Sequence, residues 1–313
     1  MLTAAAPGLE SIDVYTATVS NFGESLLLAV PKAFGGRKQT ADVISMSLGE
    51  CEAEQSESHA FDRALDHAFA IAGGAGISVL VASQDTGSTT CRTGPSGPGA
   101  LPVLSPSFPA TSGYVTAVGG TNVELDPENR ISNQITWNDK PNVLGASGGG
   151  TSGLFGRPWY QRGVSGTGGS RKGKGRAVPD IAALADVTPG YAVYCSRPSC
   201  PAVGYYPVGG TSAATPLLAG GVALANQAAA EAGQANLGFL NPLLYEIGTG
   251  DSPGQLFYDV TEGNNDLGTL IPAAAGGGEP MGCCASRAGY DRTTGLGAPD
   301  VSALSRVGLA AGG

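Results

Sequence analysis

"ISVLVAS", residues Ile77–Ser83, is a run too apolar to have one wet face. A half-buried strand alternates apolar and polar residues, whereas a strand covered on both sides does not. Ahead of it, "SHAFDRALDHAFAIAGG" repeats Phe61, Leu65 and Phe69 every four residues, with Ala64, Ala68 and Ile71 beside them. That is one apolar helical face, closed by Gly73-Gly74. Further upstream, "DVISMSL" (Asp42–Leu48) reads as a strand, "GESLLLAVPKAF" as a short helix and "IDVYTATV" (Ile12–Val19) as a first strand. Downstream, "YVTAVGGT" (Tyr114–Thr121) supplies another central strand. Strands this apolar, alternating with helices, predict an α/β fold: a parallel β-sheet covered by helices on both faces, with right-handed crossovers.

The 313 residues are 42% hydrophobic and 14% charged, with 50 glycines, which predicts a sizeable core and many tight turns. The formal net charge is −9, so phosphates are repelled and a nucleic-acid partner is excluded. No apolar run reaches about 18 residues, so no membrane span is predicted. The N-terminus, "MLTAAAPGLESIDVY", lacks the basic start and long apolar stretch of a signal peptide. Six cysteines include no C-x-x-C pair and no Cys/His cluster, which argues against zinc. An even count in Gly-rich loops fits disulfides and export, and Cys195 and Cys200 enclose a segment short enough for a small loop. Free buried thiols are the competing reading. Residues 122 to 208 look loop-rich, with the basic run "RKGKGR" (Arg171–Arg176) read as a solvated loop, and "AAAGGGEP" (Ala273–Pro280) as a loop insertion. With no internal repeat or clean boundary, residues 1–313 are taken as one unit.

Chemistry enters at "GGTSAATP", Gly209–Pro216. Ser212 opens a long small-residue helix, with Pro216 placed in its first turn. A helix N-terminus favours a nearby oxyanion, and the two glycines let a substrate backbone come close. The bland alternative is a serine N-cap. A nucleophilic serine needs a base. The only histidines, His59 and His67, lie eight residues apart on the upstream helix and point away from its apolar face. No "HGTH" stretch exists, so a carboxylate is the remaining candidate base. Asp85, in "VLVASQDTGS", falls at the carboxyl end of the apolar strand, where open α/β sheets place ligands. A carboxyl kept protonated in such a crevice can donate to an oxyanion, though "QDTG" is also a good turn. "SMSLGE" (Ser45–Glu50) ends the preceding strand, and Gly49 leaves its backbone open to an extended peptide.

Taken together these stretches resemble the sedolisins, serine-carboxyl peptidases on a subtilisin-like fold. "GGTSAATP" resembles their nucleophile motif, "VISMSLGECEAE" the strand whose edge binds substrate, and "GISVLVASQDTGS" the segment with the oxyanion aspartate. "FPATSGYVTAVGGT", "TWND", "SGGGTSGLF", "GRAVPDIAALAD", "GFLNPLLY", "YDVTEGNND" and "GYDRTTGLGAP" follow in family order, so the likeness covers nearly the whole chain. The resemblance implies Ser212 as nucleophile and Asp85 as protonated oxyanion donor, acting on peptide or protein substrates at acid pH. It implies substrate contacts at Ser47, Leu48, Gly49, Gly148 and Gly149. It also implies one calcium ion held by Asp259 and Asp291 with the carbonyls of Val260, Arg287 and Gly289, a hard-oxygen set that suits Ca2+. A Cys51–Cys91 disulfide, a secreted location and a monomeric state follow from the same source.

The chain departs from the family in one decisive place. Sedolisins take their base from a Glu and an Asp four residues apart, ahead of an "APG" that matches Ala6-Pro7-Gly8. Counting back from there passes Met1, so the pair is not among these residues. Three explanations compete: a true start upstream, a fragment, or a natural truncation that has lost activity. The 313-residue polypeptide alone is expected to be inactive or nearly so, with a non-catalytic peptide-binding remnant as the alternative function. Smaller departures are Gln84, where the family has Gly before the Asp, and Glu50 after "SLG".

Overall fold

A computed structural model describes residues 1–15, 30, 39–52, 59–93, 101–139, 145–168, 174–198, 200–268 and 281–310. Strands in chain order are β1 (Val43–Met46), β2 (Glu50–Cys51), β3 (Ser78–Ala82), β4 (Cys91–Thr93), β5 (Leu101–Val103), β6 (Ser107–Phe108), β7 (Thr116–Leu125) and β8 (Ile131–Thr136). They continue with β9 (Gly150–Gly156), β10 (Gly175–Val178), β11 (Ile181–Leu184), β12 (Tyr191–Cys195), β13 (Gly204–Val208), β14 (Phe257–Tyr258) and β15 (Ala298–Pro299). Helices are α1 (Leu2–Ala5), α2 (Ala60–Gly74), α3 (Thr211–Glu231), α4 (Asn241–Gly248) and α5 (Val301–Ala310).

The central sheet has the order β1-β3-β7-β11, all parallel, with β8 antiparallel to the far end of β7. The reading of Ile77–Ser83 explains the layers. Every residue of β3 is buried. Leu80 points into a core with Leu218 and Val222 of α3, Leu244 of α4 and Leu304 of α5. Val79 and Val81 point the other way, into a core with Leu65, Phe69 and Ala72 of α2. Period-2 alternation thus delivers apolar side chains to both faces, and each face needs its own helices. At roughly 25 cal/mol per Å² of apolar surface, this two-sided burial is the main stabilising contribution.

Three local expectations change. Residues 12–15 are not in a strand, and the rest of the Ile12–Val19 run, "AAAGGGEP" and, apart from the buried Val30, the helix read at 23–34 lie outside the described residues. Ile71, read as part of the apolar face of α2, is exposed, whereas Asp62 is buried, with His59 Nδ1 at 3.1 Å from its carboxylate. Arg176, read as part of a solvated loop, is fully buried in β10 and paired with Asp180. Its segment is flanked by apolar strand residues, and a buried carboxylate calls for a buried cation. The cysteines pair as Cys51–Cys91, Cys195–Cys200 and Cys283–Cys284. No described helix is long and apolar enough to cross a membrane.

Candidate active site

The carboxyl ends of β1 and β3 and the start of α3 converge on one place. Asp85 follows β3 and Ser47 follows β1, in the loop positions that parallel strands leave at their C-terminal edge. Both reach α3. The Thr211 N–H and Oγ1–H both donate to Asp85 Oδ1, at 2.8 and 2.7 Å. Gly210 has φ +88°, and a Cβ there would come within 2.7 Å of Asp85 Oδ2. Glycine at 210 therefore serves both the backbone conformation and the approach of the carboxyl.

Ser212 is exposed, and it is not the N-cap: Gly210 takes that place and Thr211 opens the helix. Pro216 lies in the second turn, not the first. It stands four residues after Ser212, so the Ser212 carbonyl lacks its helical N–H donor. The Ser47 hydroxyl replaces it, donating to Ser212 O at 2.9 Å. One proline thereby turns a helical bond into a tie between Ser212 and the end of β1.

The other predicted contacts fall around this point. Leu48 is exposed beside Ser47, and Gly49 is half-buried. A Cβ on Gly49 would meet Ser107 Oγ at 2.4 Å and Gln84 Nε2 at 2.7 Å. Gln84 itself has φ +82°, a region where L side chains are strained and glycine is not. Gly148 and Gly149 are buried. Their N–H groups donate to Gln84 O at 2.7 Å and Gly87 O at 3.3 Å, so these N–H groups are not free for a substrate strand. Gly148 packs so tightly that a Cβ would stand 1.9 Å from Ser83 O.

Neither histidine approaches Ser212: His59 pairs with Asp62, and His67 is exposed along α2. No described carboxylate or imidazole hydrogen-bonds the Ser212 hydroxyl. Residues that sequence reasoning missed include Glu52, buried and held by the Ser152 hydroxyl and, at 2.8 Å, by the Gly153 N–H. Asp139 ends "TWND" and Asp186 ends "GRAVPDIAALAD", with no local pattern linking the two. Only the folded chain brings them together.

The proposed ion site lies apart, between the segment after β14 and residues 287–291. Asp259 Oδ2 accepts the Gly289 N–H at 2.9 Å, so these two segments meet. Asp291 Oδ2 accepts the Arg287 N–H at 3.0 Å, and its Oδ1 accepts from Thr293 and Thr294. Asp291 is buried, and desolvation raises its pKa above the ordinary carboxylate value. It has no cationic side-chain partner among the described residues. No three His, Cys, Asp or Glu side chains cluster there or elsewhere among the described residues. Two carboxylates with main-chain carbonyls fit a hard cation, not a transition metal.

The chain matches the subtilase family over residues 8–238. It is 35% identical over 298 residues to kumamolisin of Bacillus sp. (strain MN-32), covering 95% of this chain and 47% of that protein. It is 35% identical over 287 residues to tripeptidyl-peptidase sed4 of Aspergillus fumigatus, covering 85% and 43%. The chain thus spans about half the length of the curated relatives it matches. The solved structure of Pseudomonas sedolisin, a serine-carboxyl proteinase, superposes with a TM-score of 0.72 at 29% identity, covering 95% of this chain and 72% of that one. The chain therefore belongs to the subtilase family and, within its subtilisin-like fold, to the sedolisin branch.

Proposed function

We propose that these residues form the core of a serine-carboxyl endopeptidase that hydrolyses peptide bonds in acid. The observation that carries this reading is the double hydrogen bond from Thr211 to Asp85, which fixes a carboxyl beside the residue preceding Ser212. Ser212 attacks the scissile carbonyl, and an acyl-enzyme forms that water releases. Asp85 stabilises the developing oxyanion through its carboxyl proton, which restricts the reaction to acid conditions. The peptide runs past Ser47, Leu48 and Gly49, with Gly148 and Gly149 as the opposite wall. Calcium, held by Asp259, Asp291 and the carbonyls of Val260, Arg287 and Gly289, would tie two segments together and play no part in bond cleavage. Three disulfides support export to an oxidising compartment, and we take the working unit as a monomer.

General-base assistance contributes about 10²–10⁴-fold, and no described residue supplies it to Ser212. Residues 1–313 alone are therefore expected to bind a peptide aldehyde through Ser212 but to cleave poorly. That observation also favours the second reading, a peptide-binding remnant without turnover. The test incubates the protein at about pH 4 with an unfolded protein and, separately, with a peptide aldehyde. Cleavage that disappears in Ser212→Ala would show that a base is present after all. Loss of aldehyde binding in Ser212→Ala, without cleavage by the parent, supports the peptidase core. Absence of both activities overturns it. Added Ca2+ should raise the unfolding midpoint of the chelator-treated protein, and Asp291→Asn should abolish that rise.

A further inference from the structure

A second pair of carboxyl groups lies behind the nucleophile loop. Asp139 follows β8 and Asp186 follows β11, both segments are bonded to the same part of β7 through Trp137 N–H to Gly120 O and Asp186 N–H to Thr121 O, and the two carboxyl groups interact. Asp186 is buried, and both its oxygens already accept: Oδ1 from the Thr188 N–H at 2.9 Å and Oδ2 from the Asn122 amide. Asp139 Oδ2 and the Trp137 indole N–H are both buried, and the indole faces the Asp139 carboxyl as a weak donor outside good hydrogen-bonding geometry. Two carboxylates in contact cannot both be ionised at low cost. Because Asp186 is engaged as an acceptor on both oxygens, the shared proton is assigned to Asp139, which donates to Asp186.

Each partner is bonded to one half of the active site. On one side, the Asp139 N–H donates to Gly145 O at 2.9 Å, the Ser147 N–H to Trp137 O at 3.0 Å and the Ala146 N–H to Asp85 O at 3.0 Å. On the other side, the Gly210 N–H donates to Ala185 O at 2.6 Å. Gly209 packs on the Asp186 main chain, where a Cβ would come within 2.9 Å. The Asp139 loop is thus bonded to Asp85, and the Asp186 loop supports the two residues leading into Thr211 and Ser212.

We propose that Asp139 and Asp186 form a proton-sharing clasp that positions the Asp85 loop against the Ser212 loop, closed while Asp139 carries its proton and released when it ionises. The catalytic meaning of the clasp rests on the function proposed above; the clasp itself does not. Among the described residues, the groups facing Asp139 are Asp186 from the end of β11 and Trp137 from the end of β8. No described lysine, arginine or histidine faces it. Burial raises the pKa of Asp139 above the ordinary carboxylate value, the Trp137 indole opposes part of that rise, and the charge of Asp186 adds to it. A raised folded-state pKa means that the stabilisation is complete below the unfolded value. It is lost as pH climbs through the folded value.

Asp139→Asn keeps a donor at every pH, whereas Asp139→Leu has none. Unfolding midpoints of the 313-residue protein and both variants are compared from about pH 3.5 to about pH 7.5, with hydrogen exchange of the Ala146 and Ser147 amides followed alongside. The parent midpoint should fall by about 2–4 °C relative to Asp139→Asn across that rise. Amide protection, corrected for intrinsic exchange, should fall about tenfold in the parent and stay level in Asp139→Asn. Asp139→Leu should be destabilised at every pH. Parallel pH curves for parent and Asp139→Asn would overturn the clasp, as would Asp139→Asn behaving like Asp139→Leu. A pH-dependent midpoint with unchanged protection at Ala146 and Ser147 would remove its positioning role. None of these readouts needs turnover, so a failure of the peptidase reading would show separately, in the Ser212→Ala comparison.

Discussion

Two polar clusters flank the same sheet and are built on opposite terms. Around Arg176 and Asp180, polar groups meet partner after partner. Arg176 donates to Ser112 O at 2.7 Å, to Val115 O at 3.1 Å and to both oxygens of Asp180. Asp180 also accepts from the Ala117 N–H at 2.7 Å and the Tyr245 hydroxyl at 2.9 Å. Around Ser212 the opposite holds. The serine is exposed, Gln84 is in a strained conformation, and Trp137 Nε1 and Asp139 Oδ2 lack partners in good geometry. The first cluster fixes where the strands end. The second keeps unspent hydrogen-bonding capacity, which the proposed reaction would draw on.

The sharpest way to break this contrast is Arg176→Ala. It leaves Asp180 charged, buried and unpaired, and should cost about 3–5 kcal/mol in denaturant unfolding. A loss below about 1 kcal/mol would mean that the network is not the anchor it resembles.

Next in size is the tie made by Pro216. Ser47→Ala should cost about 1 kcal/mol in the parent, because Ser212 O then loses its replacement donor. In a Pro216→Ala background the helix regains its own N–H at that position, and Ser47→Ala should cost close to nothing. Additive costs in this double-mutant cycle would refute the exchange of one donor for the other.

Gln84→Gly should have the smallest effect and the opposite sign. Relief of left-handed strain is worth about 1–2 kcal/mol, and the added freedom of glycine in the unfolded chain takes back about 0.4–1. A net gain of about 0.5 kcal/mol, read as a slightly higher unfolding midpoint, is expected. Destabilisation by Gln84→Gly would mean that the side-chain amide near Gly49 is itself structural.

The sequence determined the layers and the placing of Ser212 near the start of a helix. The apolar run at Ile77–Ser83 and the four-residue spacing of Phe61, Leu65 and Phe69 are local patterns, and burial on both faces follows from them directly. Asp85 and Ser212 were legible for the same reason, since each lies just beyond or at the start of a readable element. Asp62, Arg176 and the Asp139–Asp186 pair were not legible. A polar residue's burial depends on a partner that arrives from a distant part of the chain, and nothing in the local pattern specifies that partner. Pro216 shows the boundary most clearly: its sequence position removes a donor from Ser212, but only the packed end of β1 decides that Ser47 supplies the new one. Periodicity is a property of neighbours in sequence, whereas hydrogen-bond satisfaction and proton sharing are properties of neighbours in space.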